Sequence, residues 1–283
     1  MRKTSIFLLI LAFLVATGCD KLSKKSPDID TQPADTFSSA NNAPGMVEYK
    51  QGDDAYYAGD YDKAFDLYTK SANKGLPEGQ YELALMYDDD SNDFYDPSEA
   101  VRWYIKAAEQ NHPNAQYNLA VSYDFGDGVY EDDALAMVWY TKASAQGHAD
   151  ASYNLALMYE NGEGLTEPNY DKAIEFYTKA ANLSHMDAAN NLGYLYDEKL
   201  SKPKEAYKWY MVAAKLGSDD AAYNIGTLYE YGQIGKADYT TACAWYYISG
   251  DEDAIDDCDS KLTNIQSKKV ESTMKDIAKE LGI

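Results

Sequence analysis

The chain has 283 residues and carries 47 Asp and Glu against 25 Lys and Arg, a formal net charge of −22. So acidic a chain is repelled by phosphate backbones and anionic lipid headgroups, which argues against nucleic acid as a partner and against membrane contact through charge. Its 27 tyrosines are the compositional oddity.

At the start, Met1-Arg2-Lys3 supplies positive charge and Ile6 to Val15 is an unbroken apolar run of ten, too short to span a bilayer. The run ends in Ala16-Thr17-Gly18-Cys19, small residues before a cysteine, which resembles the bacterial lipoprotein cleavage box. That resemblance implies a signal peptide over residues 1–18, cleavage before Cys19, and lipidation of the Cys19 thiol and its new amino terminus. Asp20 resembles the signal that keeps an enteric lipoprotein in the inner membrane, facing the periplasm. Residues 19–45 hold the anchor and then a stretch rich in Ser, Pro, Asp and Asn without periodicity, which reads as a flexible tether. Cleavage removes Arg2 and Lys3 and takes the formal charge to −24, so the membrane is reached through lipid.

From Met46 to Ser249 an aromatic phrase recurs: Leu67-Tyr68, Trp103-Tyr104, Trp139-Tyr140, Phe176-Tyr177, Trp209-Tyr210 and Trp245-Tyr246, at spacings of 36, 36, 37, 33 and 36 residues. A second slot precedes it, Tyr87, Tyr123, Tyr159, Tyr196 and Tyr229, each four residues after Leu83, Leu119, Leu155, Leu192 or Ile225. Apolar and aromatic residues four apart share one helical face. The residue after each leucine slot is small (Ala84, Ala120, Ala156, Gly193, Gly226), which admits a neighbouring helix closely. Asp96-Pro97-Ser98-Glu99 is a helix start with an N-cap acid, proline at the first position and a capping-box glutamate. Two helical patterns in each period of this length predict an all-α solenoid of about six stacked helix pairs, each burying its face only against its neighbours.

These phrases resemble the Sel-one-like repeat, a branch of the tetratricopeptide family. The fullest match is Ala151 to Tyr159, then Gly162-Glu163-Gly164, then Asp171-Lys172-Ala173 through Tyr177 to Ala181. The resemblance implies a concave groove used to bind protein. Three departures stand out: acids from Asp88 to Asp93 replace the glycine loop, the fifth pair is shortened before Lys204, and Met46 to Leu76 looks like an ordinary tetratricopeptide unit. Beyond Gly250, residues 250–283 read as two capping helices, 253–262 and 267–281, with Val270, Met274, Ile277 and Leu281 on one face.

In the tetratricopeptide relatives, one face of the first helix lines the groove and its asparagine grips peptide backbone. Here that face carries Tyr81, Tyr117, Tyr153 and Tyr223, beside Asn118, Asn154, Asn191 and Asn224; Glu82 takes the asparagine slot in the second pair. Farther along stand Asp88, Asp124, Glu160, Asp197 and Glu230, acidic in every copy. Together they predict an anionic groove suited to a basic segment of a partner protein. The competing reading is that Asn and Tyr satisfy neighbouring helices and the acids are solvated helix ends.

If Cys19 carries lipid, Cys243 and Cys258 remain as one pair, placed symmetrically about Gly250-Asp251. A helical hairpin there sets them side by side, but helix axes roughly 8 to 10 Å apart against a disulfide's Cα limit of about 7 Å demand close packing. Free thiols are the alternative. His112, His148 and His185 share a repeat slot, where successive pairs hold them too far apart to converge on a metal. Ser71-Ala-Asn-Lys74 and Ser201-Lys-Pro-Lys204 match the Ser-x-x-Lys pattern of penicillin-recognising enzymes without its companion motifs. No cofactor, metal or catalytic site is expected. The sequence points to an envelope-anchored scaffold or adaptor; the rivals are an envelope hydrolase or penicillin-binding protein, and an inhibitor or immunity-type protein.

Overall fold

A computed structural model describes residues 43–283. The readings on the signal peptide, Cys19, Asp20 and most of the tether fall on residues 1–42 and lie outside the described residues. Among the described residues all regular structure is helical. Six pairs run in order: α1 (Met46–Tyr57) with α2 (Tyr61–Asn73), α3 (Pro77–Asp88) with α4 (Pro97–Glu109), α5 (Pro113–Phe125) with α6 (Asp133–Ala145), α7 (Ala149–Asn161) with α8 (Tyr170–Asn182), α9 (Met186–Tyr194) with α10 (Pro203–Lys215), and α11 (Asp219–Glu230) with α12 (Tyr239–Ser249). Then follow α13 (Glu252–Lys261) and α14 (Asn264–Leu281). The described residues form two compact units, 43–216 with α1 to α10 and 217–283 with α11 to α14.

Five of the six second helices start at a side-chain cap. Asp60, Asp96, Asp132, Asn169 and Asp238 are N-caps whose side chains accept from backbone N–H groups of the first turn, satisfying donors that have no intrahelical partner. Four of these caps also donate their own backbone N–H to the carbonyl of the recurring first-helix tyrosine: Asp96 to Tyr87, Asp132 to Tyr123, Asn169 to Tyr159 and Asp238 to Tyr229, at 2.7 to 2.9 Å. Lys202 makes the same bond to Tyr196 at 2.7 Å but supplies no side-chain cap. The shortened fifth pair preserves that bond by widening the chain into a π-helical turn, Leu195–Lys199. In the acidic loop after α3, side chains replace the missing glycines: Asp89 accepts from the Ser91 backbone at 2.9 Å, Asn92 donates to the Met86 carbonyl at 3.0 Å, and its own oxygen accepts from Phe94 N at 2.7 Å.

The core of the first unit is a repeated contact between second-helix tyrosine and alanine and the next first-helix leucine. Tyr104, Tyr140 and Tyr177 are fully buried with Ala100, Ala136 and Ala173, and Leu119, Leu155 and Leu192 pack beside them. Each buried side chain of this size contributes about 1.5 to 3 kcal/mol. The small slot after the leucine is required by this packing: a Cβ on Gly193 would lie 2.5 Å from the Tyr210 ring.

In the second unit Tyr246 packs with α11, α14 lies on α12, and Val270, Met274, Ile277 and Leu281 of α14 are all buried. The helix α14 begins at Asn264, ahead of the expected Ser267, because Thr263 and Gln266 form a capping box. Cys243 of α12 and Cys258 of α13 are joined by a disulfide with Cα atoms 5.8 Å apart. Across the same contact, Tyr239 donates to Asp257 at 2.7 Å and Tyr247 donates to Asp259.

Candidate functional site

The tyrosine, asparagine and acid rows form a ladder inside the first unit. Three buried second-helix phenols donate to the acid of their partner first helix: Tyr104 to Asp88 at 2.8 Å, Tyr140 to Asp124 at 3.0 Å and Tyr177 to Glu160 at 2.7 Å; in the fifth pair, where the π-helical turn carries Asp197, the buried Tyr210 feels the Asp197 charge instead. The following repeat closes the rung. Asn118 donates to the Tyr104 hydroxyl and Asn154 to the Tyr140 hydroxyl, both at 3.0 Å, while Asn191 donates to Tyr153 at 3.1 Å. Against burial, the same asparagines also favour ionisation of a second neighbouring phenol each: Tyr81 for Asn118, Tyr117 for Asn154 and Tyr177 for Asn191. In this arrangement each asparagine amide is engaged with a phenol, and the asparagine oxygens and the second carboxylate oxygens are what the ladder leaves as acceptors.

Tyr81, Tyr117 and Tyr153 are half-buried because each is held between two residues. Their rings lie 6.1, 5.9 and 6.0 Å from those of Tyr104, Tyr140 and Tyr177. On the other side they stack on His112, His148 and His185 of the next repeat at 4.4 to 4.6 Å. Each histidine is the N-cap of its helix, with Nδ1 accepting from the backbone N–H three residues on, at 3.2 to 3.3 Å. The histidine slot is therefore a joint between repeats. His185 additionally faces Asp150, Nε2 to Oδ1 3.3 Å. Among the described residues no three His, Cys, Asp or Glu side chains come together in a way that would hold a metal ion.

Burial drives the electrostatics. Burial raises the pKa of the Asp88 and Asp124 carboxyls, opposed by the phenol bond each accepts. Burial also raises the Asp197 carboxyl, and the Glu198 charge adds to it. The Tyr81 phenol is pushed up to about 12, by burial first and then by the Glu82 charge. Burial depresses the His112 imidazole to about 4. In the second unit, Tyr246 donates to Glu230 at 2.6 Å and Tyr223 lies 5.2 Å from the Tyr246 ring, 38% exposed. Asn224 is half-buried on the same helix.

The Ser-x-x-Lys matches separate: Ser71 is fully buried and its hydroxyl has no hydrogen-bond partner among the described residues, whereas Ser201 is an exposed turn residue with φ 51°. No helix among the described residues is long and apolar enough to cross a membrane.

A model of the Sel1 repeat matches residues 43–76, 77–112, 113–148, 149–185, 187–218 and 219–253, one match per helix pair. The chain belongs to the Sel1 repeat family. This includes the first pair, correcting its reading as an ordinary tetratricopeptide unit. Among solved structures the Sel1 chain is similar to c5321, a protective antigen present in uropathogenic Escherichia coli strains and displaying an SLR fold, at 30% identity and a TM-score of 0.68 over 85% of this chain. It spans 54% of that protein's length. It is also similar to a Sel1 repeat protein from Oxalobacter formigenes, at 29% identity and a TM-score of 0.66, covering 71% of this chain and 84% of the other. No curated protein is significantly similar in sequence.

Two features escaped the sequence reading. The histidine joints show in the sequence as a repeat slot, but the tyrosine of the preceding repeat on which each ring stacks does not. The second is the cluster around Tyr49, Asp53, Tyr56 and Glu82 in the first two Sel1 repeats, whose signal was Glu82 standing where the other repeats have asparagine.

Proposed function

We propose that this Sel1 repeat protein is a non-catalytic scaffold, anchored in the bacterial envelope through lipid on Cys19 and facing the periplasm, that binds a basic segment of a partner protein along the ladder. Sel1 repeats serve protein–protein interaction. The observation that carries the finer reading is the ladder's polarity. The Tyr104, Tyr140 and Tyr177 hydrogens and one amide hydrogen of each asparagine are spent internally, while half-buried Asp88, Asp124 and Glu160 each keep one carboxylate oxygen that accepts nothing else among the described residues. A row of acceptors in a strongly acidic protein complements Lys and Arg side chains and repels acidic segments. The asparagines enter as fixed acceptors, since their N–H groups hold the phenols.

The test removes charge and keeps the hydrogen bonds. In Asp88→Asn, Asp124→Asn, Glu160→Gln, each new amide oxygen still accepts from its phenol, so the melting temperature should stay close to wild type. Partners are identified by crosslinking in intact cells with mass spectrometry, and the triple variant is expected to lose them. An unchanged crosslinked set would place the binding surface elsewhere.

A further inference from the structure

The ladder has one irregular rung. Where α5, α7 and α9 present Asn118, Asn154 and Asn191 to phenols, α3 presents Glu82 to the Tyr49, Asp53 and Tyr68 group. In its deprotonated form Glu82 has no hydrogen to give, where an asparagine amide has two. Tyr68 donates to Asp53 at 2.9 Å, and among the described residues none donates to Glu82. Two carboxylates thus share a partly buried site, and burial followed by the Asp53 charge holds the Glu82 carboxyl up at about 7.

This rung opens into a cavity of about 620 Å³ between α1, α2, α3 and the loop after α3, with no Lys, Arg or His in its lining. Its wall is aromatic: Tyr56 lies edge-on to Tyr57 and Tyr61 at 6.0 and 5.3 Å, and Tyr57 is 88% exposed. A carboxylate without a donor among the described residues, Glu82, next to a second carboxylate whose Oδ1 accepts from Tyr68, and beside exposed aromatic rings, complements a planar cation that offers several N–H groups and stacks on rings.

We infer that this cavity receives an arginine side chain of a partner protein, whose guanidinium donates to Glu82 and Asp53 and lies against the tyrosine wall. The guanidinium takes the place the asparagine amide holds in the other rungs. Arginine fits better than lysine because the fork of N–H groups reaches two carboxylates at once. The inference deepens the scaffold reading by naming one contact of the partner.

The probe is an acetylated, amidated Gly-Gly-Arg-Gly-Gly peptide titrated into the full chain by two-dimensional NMR, beside the same peptide with citrulline, the neutral isostere. Saturable shifts are expected at Tyr57, Glu82 and residues 89–94, with citrulline binding about tenfold more weakly. Glu82→Gln should weaken the arginine peptide about fivefold, and Tyr57→Ala, a change at an exposed position that spares the core, about threefold. Equal binding of both peptides, no binding, unaffected Glu82→Gln, or shifts spread along all repeats would overturn the site. If the arginine peptide fails while the crosslinked partner still depends on Asp88, Asp124 and Glu160, the cation site falls and the scaffold reading stands.

Discussion

His112 shows how one side chain can hold a joint and set a pH limit. Its Nδ1 accepts the Ala115 N–H at 3.2 Å and its ring stacks on Tyr81, so protonation would cost the cap and charge a buried ring. The folded pKa of about 4 lies below the ordinary 6.5, so the unfolded chain binds the extra proton first as pH falls. The histidine's contribution is fully present above pH 6.5 and is lost as pH drops through 4, amounting to about 3 kcal/mol at most. Glu82 works the other way: its pKa is raised to about 7, so its contribution is fully present below pH 4.5 and lost as pH rises through 7. In His112→Asn the cap remains and the titration does not. Urea unfolding should show the variant gaining on wild type by up to about 3 kcal/mol between pH 7 and pH 4. A pH-independent difference would contradict the neutral-cap assignment.

Between a second helix and the next first helix, the chain makes the same tight turn five times, with Gly75, Asn111, Gly147, Ser184 and Gly217 at φ between 65° and 97°. The left-handed conformation costs a non-glycine residue about 1 to 2 kcal/mol. Asparagine tolerates it, but Ser184 at φ 65° does not gain the same local compensation. Ser184→Gly is therefore expected to stabilise the fold by about 0.5 to 1 kcal/mol, and Gly147→Ala to destabilise it by about 1 to 2. No atom outside the turn lies within 4 Å of a Cβ at Gly147, so the cost there is purely backbone. Chemical denaturation of both variants decides it; a stable Gly147→Ala would mean the turn relaxes to negative φ.

On the scale of the whole molecule, a formal charge of −22 keeps the protein away from anionic surfaces, so any membrane association has to come from another source. The lipid on Cys19 proposed above supplies it. Labelled palmitate should enter the wild-type protein, and Cys19→Ser should abolish both the labelling and the cleavage of residues 1–18, read as a change in mass. Undiminished labelling of the variant would remove lipid at Cys19 as the anchor.

Pattern alone was enough for the helix pairs, since a leucine, a small residue and a tyrosine at fixed offsets can satisfy only stacked helices, and Asp96-Pro97 already marks a helix start. The repeat spacing of the tyrosines and acids was equally plain. Their partners were not. Asn154 bonding a phenol of its neighbour, His148 stacking on Tyr117 and Glu82 facing Asp53 are contacts between residues that only the packing of one pair on the next brings within reach. A row of identical residues along the sequence reads the same whether its hydrogens point to a ligand or to the adjacent repeat. The direction of those bonds is decided by which groups are buried together, and burial is a property of the stack.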